Sequence, residues 1–474
     1  MFKSSSRKQN FTEGPLFVKI ILFAVPIMLT SVLQTFYNMA DNIVVGRFSG
    51  DPLALAAVGS VSSLFALIVN LIVGISAGTG VVVAQAFGAK DDDILSHATH
   101  TSITFSAIAG LVFMSIGLLV SRPALIAMGT QPELLDSAVL YMRIVCFGIP
   151  ASAVYNFSAT TLRSVGDSKT PLIILSSAGV INVILNLFFI IVCKMTVDGV
   201  ALATIVSQYA SAVWVIAVLV KRKDEIYAVS FKKLAIHIPT LLRILKYGVP
   251  AALQSSMYSI SNILITSATN VFTSIEMSAK TIVSSIDGIM YNSLNSYLHA
   301  SMTVTAQNYG AGQYGRIRRA LGYTLLQVTA IGLVFGAVLS LLAEPVSSLF
   351  VDLSDPNRTV ILEKSCELLR MMLTMYFFCG IQESLSGTLR GLGYSILPMF
   401  MSVVGICGTR VLWIVAFYNI PSLQSLIGLY SVYPVSWVTA TIALGICTAI
   451  AMSRLSKKIQ SKNLSDPKNI EVKA

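Results

Sequence analysis

Charged side chains are scarce in this chain of 474 residues, where they make up only 12% of the composition. A soluble globular domain usually has about a quarter of its residues charged. The chain also has only four histidines and six cysteines, and no two cysteines have the C-x-x-C spacing of a metal or redox site. These shortages argue against a zinc module and a disulfide-rich scaffold.

Sequence motifs of enzymes are missing as well. The chain has no G-x-x-x-x-G-K-[ST] segment, which would bind ATP phosphates. It also has no H-E-x-x-H zinc motif and no nucleophile elbow. We therefore expect that the protein is not an enzyme and that it uses no organic cofactor.

Hydrophobic residues, in contrast, make up 55% of the chain. They form twelve apolar stretches, each long enough to cross roughly 30 Å of hydrocarbon. These are 16–43, 53–83, 97–121, 134–159, 170–193, 198–220, 243–270, 277–306, 318–343, 361–386, 394–418 and 423–452. The sequence therefore predicts an all-α membrane protein with twelve transmembrane helices.

Basic residues are distributed unevenly between the connections that join these stretches. The connection 221–240 carries Arg222, Lys223, Lys232 and Lys233, whereas connections on the opposite side carry few basic residues. Basic connections stay in the cytoplasm, so both termini are expected there. The same distribution explains the net charge of +11 without nucleic-acid binding.

An internal repeat divides the chain into two halves. Pro26 aligns with Pro250, AQAFGAK (84–90) with AQNYGAG (306–312), and ATTLRSVGDSKTP (159–171) with SGTLRGLGYSILP (386–398), at separations of 224, 222 and 227 residues. Since each half has six spans, both halves enter the membrane from the same side. This predicts two pseudo-symmetric lobes in a parallel repeat.

The repeat and the charge pattern together predict four regions. Residues 1–220 form an N-terminal six-helix lobe, 221–240 a cytoplasmic linker, 241–452 a C-terminal six-helix lobe, and 453–474 a basic cytoplasmic tail that is expected to be disordered.

Polar residues inside the first predicted span are the main functional signal, because charged groups in membrane helices are costly. Gln34, Asn38 and Asp41 share one face of a helix. A carboxylate with neighbouring amide oxygens suits Na⁺ or a proton. The alternative is that Asp41 lies near the outer end of the helix and is simply solvated. Asn182 and Asn186 in the fifth span and Thr204 in the sixth add further oxygen atoms.

The second half carries Asp287, Glu383 and Arg410 within its spans. Asp287 and Arg410 are interpreted as a structural ion pair between helices, with a direct transport role as the alternative. Glu383 is interpreted as an interfacial residue. Several residues are candidates for lining a soft substrate cavity, with simple packing as the alternative: Gln34, Tyr37, Asn38, Met257, Tyr258, Asp287 and Met290.

Several segments together resemble one known family. These are VPIMLTSVLQTFYNMADNIVVGRF in the first span, the paired AQAFGAK and AQNYGAG, the TLRSVGDSKTP turn and GVALATIVSQ (199–208). They are similar to the multidrug and toxic compound extrusion (MATE) family of prokaryotic type, over about residues 14–455.

The resemblance implies a two-lobed secondary antiporter that exports organic cations and drugs in exchange for Na⁺ or H⁺. It implies that the cation-coupling residues are Asp41, Asn182, Asn186 and Thr204, with Asp41 as the Na⁺ ligand under sodium coupling, and that Pro26 is a hinge. Some members have an acid at the position of Asn186, so a single carboxylate is expected here.

The expected setting is the bacterial plasma membrane, with a small cationic organic substrate, contacts to membrane lipid and a monomeric state. The alternative function is a flippase or exporter of lipid-linked precursors or other metabolites from the same superfamily.

Overall fold

Helices form all of the regular structure in the described part of the chain. A computed structural model describes residues 9–48, 54–352 and 355–464, and within these ranges it contains no β-strand. The first half contains α1 (Leu16–Phe48), α2 (Ala54–Ala89), α3 (Asp92–Ala127), α4 (Pro132–Cys146), α5 (Ile149–Ser164), α6 (Lys169–Leu187) and α7 (Val197–Lys221). The second half contains α8 (Ile238–Ala268), α9 (Ser274–Gly310), α10 (Tyr314–Leu341), α11 (Ala343–Ser348), α12 (Arg358–Gly391), α13 (Ile396–Ser402), α14 (Thr409–Asn419), α15 (Leu426–Tyr430) and α16 (Val432–Leu464).

These helices correspond to the twelve predicted spans, although several spans are interrupted. The fourth span is divided into α4 and α5, which are bent by 45°. A π-helical turn, Phe188–Val192, extends α6, and a second one, Val403–Gly408, joins α13 to α14. The interruptions occur inside the apolar stretches, where hydropathy alone gives no signal of them.

Apolar composition is not uniform among the spans. In the described residues, eight helices are long and apolar enough to cross a membrane, and the bent pair α4–α5 makes a ninth. Three further helices, α8, α9 and α12, have 31, 37 and 34 residues but are more polar. Most polar side chains of α12 between Gln382 and Arg390 are buried. A helix inside a bundle faces protein on most sides, so it needs less apolar surface for lipid.

The described residues form two compact units. The first unit comprises Gln9 and residues 29–48 and 54–256, and the second comprises residues 10–28, 257–352 and 355–464. In the first unit α3 and α2 pack on α5, and α6 packs on α7; in the second, α9, α10 and α16 pack on α12. Both α1 and α8 therefore contribute one part of their length to each unit. The predicted domain boundaries at 220 and 241 stay a prediction.

The two halves repeat the same backbone turns. Lys90 ends the AQAFGAK segment with a φ of 55°, and Gly312 ends AQNYGAG with a φ of 67°. Gly166 and Gly393, in the two TLR turns, have φ values of 89° and 91°. A left-handed residue just past a helix end is a common helix stop. These matching conformations confirm the internal repeat.

Small residues bring α2 and α8 close together within the first unit. Gly74 and Gly78 are spaced by four residues, and a Cβ on either would collide with the backbone of Ala252 or Gly248 in α8. Helices in membranes use such small residues to approach one another closely. The beginning of α8 is thereby packed against α2.

The connection after α7 is anchored to the first unit by an ion pair. Arg222 Nη2 donates to Asp167 Oδ2 at 2.6 Å, and its Nη1 donates to the Tyr227 hydroxyl at 3.1 Å. Within the connection, residues 231–233 form one 3₁₀ turn. At the other end of the chain, the expectation of a disordered tail from 453 is wrong for its first part, since α16 continues to Leu464. The remainder of the tail lies outside the described residues.

Candidate functional site

The side chain of Asp41 in α1 contacts α6. Asn186 Nδ2 donates a hydrogen bond to Asp41 Oδ1 at 2.5 Å. The carboxylate is only partly exposed. Asn186 is 145 positions away in the sequence, so this contact exists only because α1 and α6 are neighbours. Asp41 therefore does not behave as a freely solvated residue at a helix end.

Asn182 and Asn186 place two amide groups beside this carboxylate. They lie one helical turn apart on α6 and are 7% and 0% exposed. Asn186 Nδ2 also donates to Asn182 Oδ1, at 3.4 Å. The side-chain carbonyl oxygen of Asn186, Oδ1, has no hydrogen-bond partner, although it is fully buried. A buried acceptor without a donor is unusual in a folded protein, and it is a ready ligand for a hard cation.

The local backbone beside this site is irregular. The π-helical turn Phe188–Val192 begins two residues after Asn186. Such turns occur frequently at functional sites, because they change the direction of the side chains on a helix.

Two further residues change the predicted set of cation-coupling residues around Asp41. Thr204 is on α7, and its hydroxyl donates to the Val200 carbonyl of its own helix at 3.0 Å, so none of its described contacts reaches Asp41. Tyr141 on α4 was not predicted, and its phenol is near enough to Asp41 for an electrostatic interaction. Tyr141 lies in an apolar stretch like many others, and the sequence gives no signal that singles it out.

The cavity candidates of the first unit have separate environments. Gln34 is exposed, whereas the Tyr37 hydroxyl donates to the Ser176 carbonyl of α6 at 2.9 Å. The Tyr37 ring packs against Gly179, where a Cβ would collide with it. Tyr37 thus holds α1 against α6 next to Asp41. The side chain of Asn38 lies outside the described part of the structure.

The candidates of the second unit are also separated. Met290 is 1% exposed and packs in the hydrophobic core, whereas Met257 is 36% exposed. Tyr258 is partly exposed and lies within electrostatic range of Tyr291 and Arg390. Core packing, the alternative reading for this group, therefore describes Met290.

Two interpretations for the second half are wrong. Asp287 and Arg410 do not form a direct ion pair. Tyr376 donates its hydroxyl to Asp287 Oδ1 at 2.7 Å, and Arg410 Nη1 donates to Asn262 Oδ1 at 2.6 Å. Glu383 is not interfacial, since it is 3% exposed and its Oε1 has no hydrogen-bond partner. Both errors have the same origin, because the sequence does not tell which helices adjoin each residue.

Within the ranges that the structure describes, the remaining acidic and histidine side chains do not form a metal centre. Among the described residues, no three His, Cys, Asp or Glu side chains are grouped so that they could hold a metal ion. The Asp41 site is of a different kind, with one carboxylate and amide oxygens. This donor set suits a weakly held alkali cation or a proton, which must also be released.

Comparisons with known proteins cover both halves of the chain. The profile of the MatE family matches residues 26–188 and 250–416, once in each half of the chain. A probable multidrug resistance protein of Bacillus subtilis, YoeA, is 29% identical over 82% of this chain and 84% of its own length. The probable multidrug resistance protein NorM of Thermotoga maritima is 24% identical, with 87% of each chain covered.

Solved structures share the fold. An outward-facing multidrug resistance MATE family transporter of the MOP superfamily superposes with a TM-score of 0.88 at 23% identity, covering 96% of this chain and all of the other. This likeness supports the two-lobe arrangement of twelve membrane helices.

Proposed function

Because the chain belongs to the MatE family, whose members are transporters and not enzymes, we propose that it is a secondary antiporter exporting organic cations and drugs in exchange for Na⁺ or H⁺. Relatives named for multidrug resistance support the substrate class. The observation that carries the proposal is the Asp41 carboxylate, partly buried in a membrane helix and bonded to Asn186.

Either ion would act on the same atoms. A Na⁺ ion would take Asp41, Asn182 and the unpartnered Asn186 carbonyl as oxygen ligands. A proton on Asp41 would turn the carboxylate into a donor, and Asn186 would then accept through its carbonyl oxygen. Either event would alter the hydrogen bond between Asn186 and Asp41, so ion binding would change how α1 is held on α6.

This rearrangement gives the coupling a physical basis. An ion drives a conformational change only if it binds one conformation more tightly than the other. We propose that the ion-bound conformation releases substrate, with Pro26 inside α1 as the hinge and the two lobes alternating in access. With the N-terminus in the cytoplasm, Asp41 near the far end of α1 would receive ions arriving from outside.

The setting of the transporter follows from the same proposal. Its relatives are bacterial, which supports a multi-pass protein of the bacterial plasma membrane with cytoplasmic termini. It would act as a monomer surrounded by lipid, on small organic substrates.

The test is efflux from proteoliposomes with an imposed Na⁺ or pH gradient and a fluorescent organic cation. We expect one of the gradients to drive efflux in the wild type, and Asp41→Asn to reduce it to the leak of protein-free liposomes. The control is Asp136→Asn, because Asp136 is 84% exposed in a surface pair with Arg122. Full gradient-driven transport by a correctly inserted Asp41→Asn protein would refute the role of Asp41. No flux under either gradient would favour a lipid or metabolite flippase.

A further inference from the structure

Arg410 is a buried cation that has no carboxylate in contact. It is the second residue of α14, directly after the π-helical turn Val403–Gly408, and is 5% exposed. Its Nη1 donates to Asn262 Oδ1 at 2.6 Å and to Ser261 Oγ at 3.5 Å. In the described part of the chain, no Asp or Glu oxygen lies within 4.0 Å of its guanidinium. The Nε atom has no hydrogen-bond partner.

Such a charge needs compensation from its surroundings. Burying an ion without a hydrogen-bonded counterion is strongly unfavourable. Neutral oxygens from α8 and the ring of Tyr433, whose centroid is 4.6 Å from the guanidinium carbon, provide only part of it. An anion placed against Arg410 would provide the rest.

Asp287 offers a negative charge in the same region, but it is engaged elsewhere. Tyr376 donates to Asp287 Oδ1 at 2.7 Å, which holds the carboxylate on the α12 side. Asp287 remains near enough to Arg410 for an electrostatic interaction. The second unit therefore holds a separated pair of opposite charges, each with its own neutral hydrogen-bond partner.

Aromatic rings lie beside both charges. Trp437 is 4.6 Å from Tyr376 and 6.1 Å from Tyr433, and Tyr430 is 5.4 Å from Tyr433, measured between ring centroids. Tyr433 and Asp287 are partly exposed, and Asn262 is exposed. Tyr376, Tyr430 and Trp437 are at most 4% exposed, so Tyr433 is the ring of this group that a flat molecule carrying both charges would contact.

We propose that Arg410 and Asp287 form a subsite for zwitterionic aromatic substrates. The carboxylate of the substrate binds Arg410, its cationic group is directed towards Asp287, and its ring system lies on Tyr433. This inference rests on the proposed export function. The polar residues of α1 by themselves indicate a transporter of cations, and Arg410 adds a residue that binds an anionic group.

The first test compares two dyes that differ by one methyl group. Rhodamine 110 is zwitterionic at neutral pH, and rhodamine 123 is its cationic methyl ester. Binding to the detergent-purified wild type is measured by fluorescence polarisation. We expect rhodamine 110 to bind about tenfold more tightly, since the ester cannot form the charged contact with Arg410. Equal affinities for the two dyes would overturn the proposal, and this comparison requires no variant.

The second test removes the charge of Arg410. Arg410→Gln should weaken rhodamine 110 binding about tenfold or more and leave rhodamine 123 binding unchanged or improved, with Arg410→Lys intermediate. A purely structural role of Arg410 would weaken both dyes equally, which would refute the subsite. Asp287→Asn should weaken both dyes, because both carry the cationic xanthene ring; unchanged affinity for both would contradict the assignment of Asp287.

The binding readout separates this proposal from the export function. Binding in detergent needs no ion gradient, so a preserved difference between the dyes without gradient-driven flux would refute antiport alone. Flux of rhodamine 123 without any preference for rhodamine 110 would refute the subsite alone.

Discussion

Replacing Asp167 with Asn should strongly destabilise the first unit. Asp167 lies in the turn between α5 and α6 and is fully buried. Its carboxylate accepts hydrogen bonds from the Thr170 amide at 3.0 Å, the Thr170 hydroxyl at 2.6 Å and Arg222 Nη2 at 2.6 Å. The substitution keeps the shape of the side chain and removes its charge.

The size of the stability loss depends on the Arg222 charge, which stays buried without its partner. The side chain of Arg222 is only 14% exposed. Burial opposes its charged form, but the Asp167 carboxylate and the Tyr227 hydroxyl together raise the pKa of Arg222 above its ordinary value. Arginine is so basic that Arg222 stays charged even when Asp167 is neutralised. Removing one partner of a buried ion pair costs about 3 to 5 kcal/mol, and the partial exposure of Arg222 places the expected loss near the lower end, about 3 kcal/mol.

Buried thiols provide the assay. Cys146, Cys366, Cys379 and Cys407 are free and buried, whereas Cys193 is exposed. A thiol-reactive coumarin maleimide would therefore report thermal unfolding, in a background with Cys193→Ser and Cys447→Ser that removes the early signal, because Cys447 is only half-buried. At about 2 to 4 °C per kcal/mol, Asp167→Asn should lower the midpoint by roughly 6 to 12 °C. Asp136→Asn, in an exposed pair, should change it by less than about 2 °C.

A double variant identifies the cause of the loss. If the unpaired charge of Arg222 is responsible, Asp167→Asn with Arg222→Gln should be more stable than Asp167→Asn alone. A double variant that is less stable than either single variant, or a shift for Asp167→Asn no larger than that of Asp136→Asn, would refute this reasoning.

Two further predictions concern glycine positions. Gly248→Ala should destabilise the first unit by about 1 to 3 kcal/mol because its Cβ would collide with the backbone of Ile75, whereas Gly322→Ala, with open space around it, should be neutral or stabilising in the same unfolding assay. Gly312→Ala should cost about 1 kcal/mol and Lys90→Gly should gain about 0.5 to 1 kcal/mol, because both positions have a positive φ. Equal effects of the two helical variants, or a loss for Lys90→Gly, would contradict these expectations.

The sequence by itself determined the membrane class, the helices and the repeat. Long apolar stretches specify spans because lipid requires internally satisfied backbone hydrogen bonds over a fixed thickness. The paired turns at Lys90 with Gly312 and at Gly166 with Gly393 follow from local residues, and the structure has them in matching conformations. The spans and turns depend on neighbours within a few positions along the chain, and the repeat is found by comparing segments of the sequence, which is why composition and spacing are sufficient.

Only the tertiary structure decided which polar residues meet. Asp41 contacts Asn186 and Asp167 contacts Arg222 across 145 and 55 positions, whereas Asp287 and Arg410, which the sequence suggested as a pair, bond to different partners. Helical periodicity tells which residues share a face, but the neighbour of that face depends on how whole helices pack. In a membrane protein most faces are apolar, so the few polar contacts are set by that packing rather than by any local pattern.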